Sequence, residues 1–326
     1  MFNVAVYKQK QDIIDTIKAI KTSLLIMFVG LPASGKSTFA KEISELSYDT
    51  IVISSDEIRE KEFGDINDQS HNDKVFNIVN KQIVLNLKDN KNVCYDATNL
   101  SKKRRKEFIK KIRKNFSSVK IMAIVMAVPE YICKKRDEER DRHVGPDVIN
   151  RMIKNWCPPH YSEGFDFISI VYDYDNSANF YNPVLALESA VQINHDNPHH
   201  SLSIGEHMLK AGELIQKEFK AGCPFYLYAA ALLHDIAKPY VKSYDEDGVA
   251  HYYNHQNYGS YLGLFYADYM KFSLEETLDF INIIYYHMEP LLSWKRSEKA
   301  HAKAIEELGY LYNDIMIVHS VDIKAH

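Results

Sequence analysis

Two stretches of this sequence have the residue types and spacing to act on phosphate. One is Gly30-Leu31-Pro32-Ala33-Ser34-Gly35-Lys36-Ser37-Thr38, a G-x-x-x-x-G-K-[ST] string. Its glycines let successive backbone N–H groups turn onto phosphate oxygens, and a helix N-terminus adds its dipole. Gly30, Ser34, Gly35, Lys36, Ser37 and Thr38 are the nucleotide-binding candidates. Lys36 reaches the β/γ-phosphates of a triphosphate and the Ser37 hydroxyl ligates Mg²⁺. The other stretch is Leu232-Leu233-His234-Asp235-Ile236-Ala237-Lys238-Pro239. It sets an imidazole beside a carboxylate, within reach of one metal ion. His200, His255, His287 and Asp322 fall at spacings that suit a helical bundle around that doublet. Mixed His/Asp ligation suits Mn²⁺, Fe²⁺, Co²⁺, Ni²⁺ or Zn²⁺ rather than Ca²⁺. One or two such ions polarise a phosphoryl oxygen and acidify a bound water.

Further groups belong with the phosphate cradle. The run Ser54-Ser55-Asp56-Glu57-Ile58-Arg59 closes one apolar stretch, and Tyr95-Asp96-Ala97-Thr98-Asn99 closes the next. Strand C-termini of a parallel sheet open on one crevice, so Asp56 and Asp96 are expected to face the γ-phosphate. An Asp there accepts an alcohol's proton and orients it for in-line attack; a helix N-cap is the plainer use of either. Arg136 and Arg140, four apart in RDEERDR, are expected on one helix face, where a guanidinium pair can close over a triphosphate. Lys102–Lys114 holds nine Lys/Arg in thirteen residues. At the crevice mouth it could follow a nucleic-acid backbone, with Arg104 and Asn99 as substrate contacts. A solvated face is an equal reading, because Phe108 and Ile112 give the helix a buried side.

These groups need positioning elements. Ser23–Gly30, Thr50–Ser54, Asn92–Asp96, Val119–Val128 and Phe167–Tyr172 are short, continuous, β-branched apolar runs with helical stretches between them. That pattern predicts a parallel sheet buried on both faces. Met1–Thr22 is expected to add a leading helix, and Asp173–Pro183 reads as a linker. Beyond it, Ser201–Phe219, Pro224–Ile236, Asn254–Met270, Leu274–Tyr286, Lys299–Leu308 and Leu311–Ile323 show helical spacing with no strand-like run. The expected domains are an α/β unit over 1–178 and an all-α unit over 179–326. A prior of roughly 150 residues per domain agrees with two.

The 326 residues carry 40 Lys+Arg against 44 Asp+Glu, so a global positive field does not recruit nucleic acid; a local patch must. With 46% hydrophobic and 26% charged residues, disordered and fibrous classes are excluded. Cys94, Cys133, Cys157 and Cys223 are scattered, which suits reduced thiols in a cytoplasmic protein. The chain shows no signal-peptide pattern and no apolar run of 18 residues, so neither secretion nor membrane contact is expected. The oligomeric state stays open, a homo-oligomer among the options.

GLPASGKST, SSDEIR, YDATNLSKKRR and RDEERDRHVGPDVI, in that order between Ser23 and Tyr172, resemble the bacteriophage and bacterial polynucleotide 5′-kinase family of P-loop phosphotransferases. The resemblance implies an α/β P-loop kinase domain with a helical lid. It implies Asp56 as general base, Arg59 on the acceptor's phosphate and Arg140, with Arg136, on the donor. From Pro183 onward the chain resembles the HD phosphohydrolase superfamily, with Ala237 where the motif commonly has Gly. That resemblance implies an all-α HD-type domain whose core metal set is His200, His234, Asp235 and Asp322, with His207 able to replace His200. His255 and His287 fit the extra ligands of two-metal members, and Lys238 the contact to substrate phosphate. The combination points to nucleic-acid end healing, RNA favoured over DNA. Mg²⁺ with ATP or GTP would serve 5′-hydroxyl phosphorylation, and one or two transition metals would serve removal of 3′-phosphate or 2′,3′-cyclic phosphate. A ligase would act on the product. The alternatives are a small-molecule kinase fused to a nucleotidase, or a nucleotide-gated binding module.

Overall fold

The computed structural model describes residues 4–47, 49–65, 70–175, 179–198, 201–219 and 222–325. The chain divides into two compact units. The first comprises Met1–Met152 and Pro159–Tyr174, the second Ile153–Pro158 and Asp175–His326. Residues 153–158, expected in the first domain, therefore belong to the second. There Trp156 Nε1 donates to Ser260 Oγ (3.3 Å), and Asn257 Nδ2 donates to the Trp156 carbonyl (2.8 Å).

The first unit is built on the parallel strands β1 (Leu24–Val29), β2 (Thr50–Ser54), β3 (Asn92–Asp96), β4 (Lys120–Ala127) and β5 (Phe167–Tyr172), in the order β2-β3-β1-β4-β5. All six residues of β1 are buried, as its unbroken apolar sequence LLIMFV requires of a central strand covered on both faces. Its helices are α1 (Val4–Ala19), α2 (Lys36–Leu46), α3 (Ser55–Phe63), α4 (Asn72–Lys88), α5 (Lys102–Asn115), α6 (Glu130–Glu139) and α7 (Pro146–Ile153). Ile13, Ile14 and Ile17 of α1 and Phe39, Ala40 and Ile43 of α2 pack with Leu24, Ile26, Phe28, Ile124 and Met126 in one apolar cluster. Each large side chain so buried contributes roughly 1.5–3 kcal/mol. This rigid layer holds the C-terminal ends of β1, β2 and β3 together.

The second unit is helical: α8 (Pro183–Val191), α9 (Ile204–Phe219), α10 (Phe225–Leu233), α11 (Lys238–Val241), α12 (His255–Met270), α13 (Leu274–Tyr286), α14 (Glu289–Leu292), α15 (Glu298–Leu308) and α16 (Tyr310–Lys324). A two-residue antiparallel ladder, β6 (Ser243–Tyr244) with β7 (Ala250–His251), adds strand where none was expected. The linker is shorter than Asp173–Pro183. Asp173 is held by Arg136 (2.9 Å), and Pro183 opens α8 behind the Asn182 cap. Among the described residues, no helix is long and apolar enough to cross a membrane.

Candidate functional site

The phosphate cradle follows β1 and leads into α2. Gly35 has φ +86°, in the left-handed region that an L side chain rarely adopts. A Cβ on Gly30 would meet Ser34 Oγ at 3.0 Å and the Met126 carbonyl at 3.2 Å, so a side chain there would press on the loop and on β4. Gly30 N–H donates to the Thr98 carbonyl (3.1 Å), fastening the loop to the end of β3. Lys36 is buried and donates to the Leu31 carbonyl, with Ser34 Oγ at 3.4 Å. Burial pulls its ammonium below its ordinary value, and Asp96 acts against that pull.

The loop opens on a cleft of about 870 Å³ lined by Gly35, Lys36, Ser37, Thr38, Asp56, Arg59, Asp96, Arg104, Arg136 and Arg140. Asn99 is not among the lining residues. Its Nδ2 donates to the Phe28 carbonyl (2.8 Å), so it braces the turn after β3. Ser37 Oγ donates to Asp96 Oδ2 (2.6 Å), which sets Asp96 beside the hydroxyl expected to hold Mg²⁺. Burial raises the Asp96 carboxyl, while the Ser37 bond and Lys36 oppose the rise.

Asp56, in the first turn of α3, is half-exposed and held by two arginines. Arg59 Nη1 donates to its Oδ1 (2.8 Å) and Arg142 Nη1 to its Oδ2 (2.7 Å). Arg59 Nη2 also donates to Asn72 Oδ1 (2.8 Å). The helix carrying Arg136 ends at Glu139, and Arg140 is an extended C-cap, so the pair does not share a helix face. The reason is Asp137. Its buried carboxylate accepts from Arg140, from Val144 N–H (3.0 Å) and from Gly145 N–H (2.9 Å), folding the chain back on itself. Arg59 Nε and Arg140 Nε are buried without a hydrogen-bond partner among the described residues. A bound polyanion suits such unsatisfied guanidinium donors.

The basic run divides in two. Arg105 is buried in a bidentate pair with Glu163 (both 2.7 Å) and also donates to the Asn99 carbonyl. Arg113 donates to the carbonyls of Val119 (2.6 Å) and Gly164 (2.8 Å). Both are fastenings of the fold, whereas Arg104 faces the cleft and lies over the Phe76 ring (5.8 Å).

In the second unit, Asp235 stands at the centre of a His/Asp cluster. Its Oδ2 lies 3.3 Å from His234 Nε2 and 3.5 Å from His207 Nε2. Its Oδ1 lies 3.2 Å from His255 Nε2 and 3.7 Å from His287 Nε2. Asp322 Oδ1 completes the first set, 3.0 Å from His207 and 3.3 Å from His234. His200 lies outside the described residues; His207 supplies the imidazole at this place. The Nδ1 atoms of His234, His255 and His287 face the carbonyls of Ala231, Tyr252 and Ile284 at 2.7–2.8 Å. A carbonyl only accepts, so Nδ1 carries a hydrogen and Nε2 is the atom each ring turns inward.

The donor set fits divalent metal. The ligand atoms of His207, His234, Asp235 and Asp322, and those of Asp235, His255 and His287, each lie within 4.8 Å of one another. Burial disfavours a charged His234, yet Asp235 and then Asp322 overcome it and raise this imidazole to about 10. The local field therefore calls for positive charge. Lys238 Nζ lies 2.6 Å from Asp235 Oδ2 and 3.3 Å from His195 Nε2.

Sequence reasoning singles out neither Arg142 nor His195, and His319 is also buried and lines a cavity over this cluster. For His207 a signal existed. Ser203-Ile-Gly-Glu206 is a capping box, with Ser203 N–H donating to Glu206 Oε2 (2.8 Å) and Glu206 N–H to Ser203 Oγ (3.2 Å). It starts α9 at Ile204 and puts His207 on the buried face with Ile204, Met208 and Ala211.

Residues 25–159 match the AAA domain family model and residues 199–313 the HD domain model. The chain thus joins a P-loop kinase domain to an HD domain. It is 31% identical over 180 residues to "Transcription factor bHLH140" of Arabidopsis thaliana, covering 52% of this chain and 18% of that one. It is 25% identical over 199 residues to "L-seryl-tRNA(Sec) kinase" of Methanococcus maripaludis, covering 60% and 74%. Among solved structures, the Pnkp1/Rnl/Hen1 RNA repair complex is similar at 22% identity and TM-score 0.35, covering 43% of this chain and 46% of that chain.

Proposed function

We propose that this chain, a P-loop kinase domain followed by an HD domain, heals nucleic-acid ends: it phosphorylates 5′-hydroxyls and removes 3′-phosphate or 2′,3′-cyclic phosphate, with RNA the favoured substrate. The observation that carries the first half is Asp56 in an arginine-lined cleft. A carboxylate has about four lone-pair sites, so Asp56 can keep Arg59 and Arg142 and still accept the proton of a 5′-hydroxyl. The hydroxyl oxygen attacks the γ-phosphorus in line and the nucleoside diphosphate leaves. Lys36, Arg136 and Arg140 serve the donor phosphates; Ser37, steadied by Asp96, serves Mg²⁺. Arg59 and Arg104 are left for acceptor phosphates, which a nucleoside or a simple sugar lacks. The seryl-tRNA kinase likeness supports a hydroxyl acceptor carried on RNA.

In the HD domain, His207, His234, Asp235 and Asp322 would hold one divalent ion, and Asp235, His255 and His287 a second. Such ions supply Lewis acidity toward phosphoryl oxygens and lower the pKa of a water. Asp235 holds the two ligand sets in register, and Lys238 presents its ammonium to a phosphate. The reading is tested by labelled γ-phosphate transfer to a 5′-hydroxyl oligonucleotide, against free nucleosides, with phosphate release from its 3′ end followed alongside. Preference for the nucleoside, or no 3′ hydrolysis with Mn²⁺, Co²⁺ or Ni²⁺, would sink it.

A further inference from the structure

The cavity over the His/Asp cluster, about 490 Å³, has a lining of two kinds. Asp235, Lys238, His255 and Asp322 are buried and form its polar floor. Tyr253, Leu291, Leu292 and Ile323 also line it, and these large apolar side chains are between 41% and 69% exposed. Apolar surface left open at the mouth of a polar site marks a place where a ligand's own apolar part is covered. Tyr253 is prepared for that role. One face of its ring stacks on His251, with centroids 5.4 Å apart and planes within 8°, and at 69% exposure the other face is open.

Charge points the same way. Among the described residues, Lys238 is the only Lys or Arg lining this cavity, and Asp235 and His195 already hold its ammonium. The kinase cleft, by contrast, is lined by eight Lys/Arg among the described residues. Among the described residues, the lining offers backbone phosphates beyond the reacting one no further Lys or Arg.

We propose that this cavity takes a single terminal nucleoside phosphate. The phosphoester lies on the cluster, the base lies against Tyr253 and the Leu291–Leu292 edge, and the polymer beyond is not read. Water oxygen adds to phosphorus, the P–O bond to the sugar breaks, and the sugar oxygen takes the proton. The proposal rests on the hydrolase reading of the HD domain and adds its substrate class. A 3′-mononucleotide is then as good a substrate as a 3′-phosphorylated chain, and salt has little effect, because counterion release requires several phosphate contacts.

The test compares phosphate release, with Mn²⁺, from adenosine 3′-monophosphate, from a 3′-phosphorylated oligonucleotide and from glycerol 2-phosphate, at low and high salt. The first two should agree within about threefold in kcat/KM and vary little with salt. Glycerol phosphate, lacking a base, should be about tenfold poorer, a difference of about 1.4 kcal/mol and in the range of base–aromatic stacking. Tyr253→Ala should raise KM for the mononucleotide and erase most of that gap. Leu291→Ser, an exposed change at the same edge, should act in the same direction more weakly. Hydrolysis of the oligonucleotide with a mononucleotide more than tenfold slower, or a steep loss with salt, overturns this substrate class and leaves the hydrolase reading standing. An unchanged gap in Tyr253→Ala overturns the base contact. No hydrolysis of any of the three removes the hydrolase reading and this inference with it.

Discussion

Arg142 reaches across 86 residues of sequence to place Nη1 2.7 Å from Asp56 Oδ2, so the segment after α6 holds the proposed base directly. Asp56→Asn removes the proton acceptor and is expected to lower the kinase rate by about 10²–10⁴. Arg142→Ala leaves the base but loosens it, and should cost about tenfold in kcat. Rates of γ-phosphate transfer, with 3′ hydrolysis unchanged in both variants, check this pair; a wild-type rate in Asp56→Asn would remove the base assignment.

Neighbours in the basic run should behave oppositely. Arg104→Ala is expected to weaken oligonucleotide binding and to reduce the slope of log affinity against log salt by about 1, with stability unaltered. Arg105→Ala strands Glu163 in the core and should cost about 3–5 kcal/mol. Denaturant unfolding and salt titration of the two variants separate the roles, and equal loss of stability in both would contradict it.

If Asp235 serves both ligand sets through its two oxygens, its loss empties both. Metal analysis of Asp235→Ala should find neither ion, whereas His255→Ala and His287→Ala should each lose one and keep graded hydrolysis. Chelation should abolish 3′ hydrolysis and leave Mg²⁺-supported phosphorylation to be restored by Mg²⁺ alone. Wild-type metal content in both His variants would leave these histidines a packing role only.

Burial, opposed by the Tyr310 hydrogen bond and reinforced by Asp314, raises Asp279 to about 6. The native state then keeps this proton to higher pH than the unfolded chain. From about pH 4 to 6 it binds more protons than the unfolded state, so stability falls as pH rises through that window and stays reduced above it. Asp279→Asn keeps an acceptor for Tyr310 and removes the charge. It should gain on the order of 2 kcal/mol at pH 8 and nothing near pH 4. Thermal melts at the two pH values decide, and a gain equal at both would contradict the charge argument.

The strands were legible because β1 to β5 are continuous apolar runs; Thr50–Ser54, Asn92–Asp96 and Phe167–Tyr172 fall where the sequence predicts. The phosphate loop and the His234-Asp235 doublet were legible because both are local. The rest depends on distant partners. Nothing near Asn99 tells of the Phe28 carbonyl 71 residues earlier, or near Arg105 of Glu163. The helical period of RDEERDR predicts one face for Arg136 and Arg140, but the backbone N–H groups of Val144 and Gly145 bend the chain onto Asp137 instead. Short α11 and α14 follow tight turns after His234 and His287, too brief to show a period.

The most direct measurement follows both ends of one RNA oligonucleotide, 5′-hydroxyl and 3′-phosphate, in one reaction with ATP, Mg²⁺ and Mn²⁺. The account predicts conversion to 5′-phosphate and 3′-hydroxyl by the wild-type protein. Lys36→Ala should change only the 3′ end, and Asp235→Ala only the 5′ end. An oligonucleotide left unchanged at both ends, while a free nucleoside or sugar is phosphorylated under the same conditions, would contradict it.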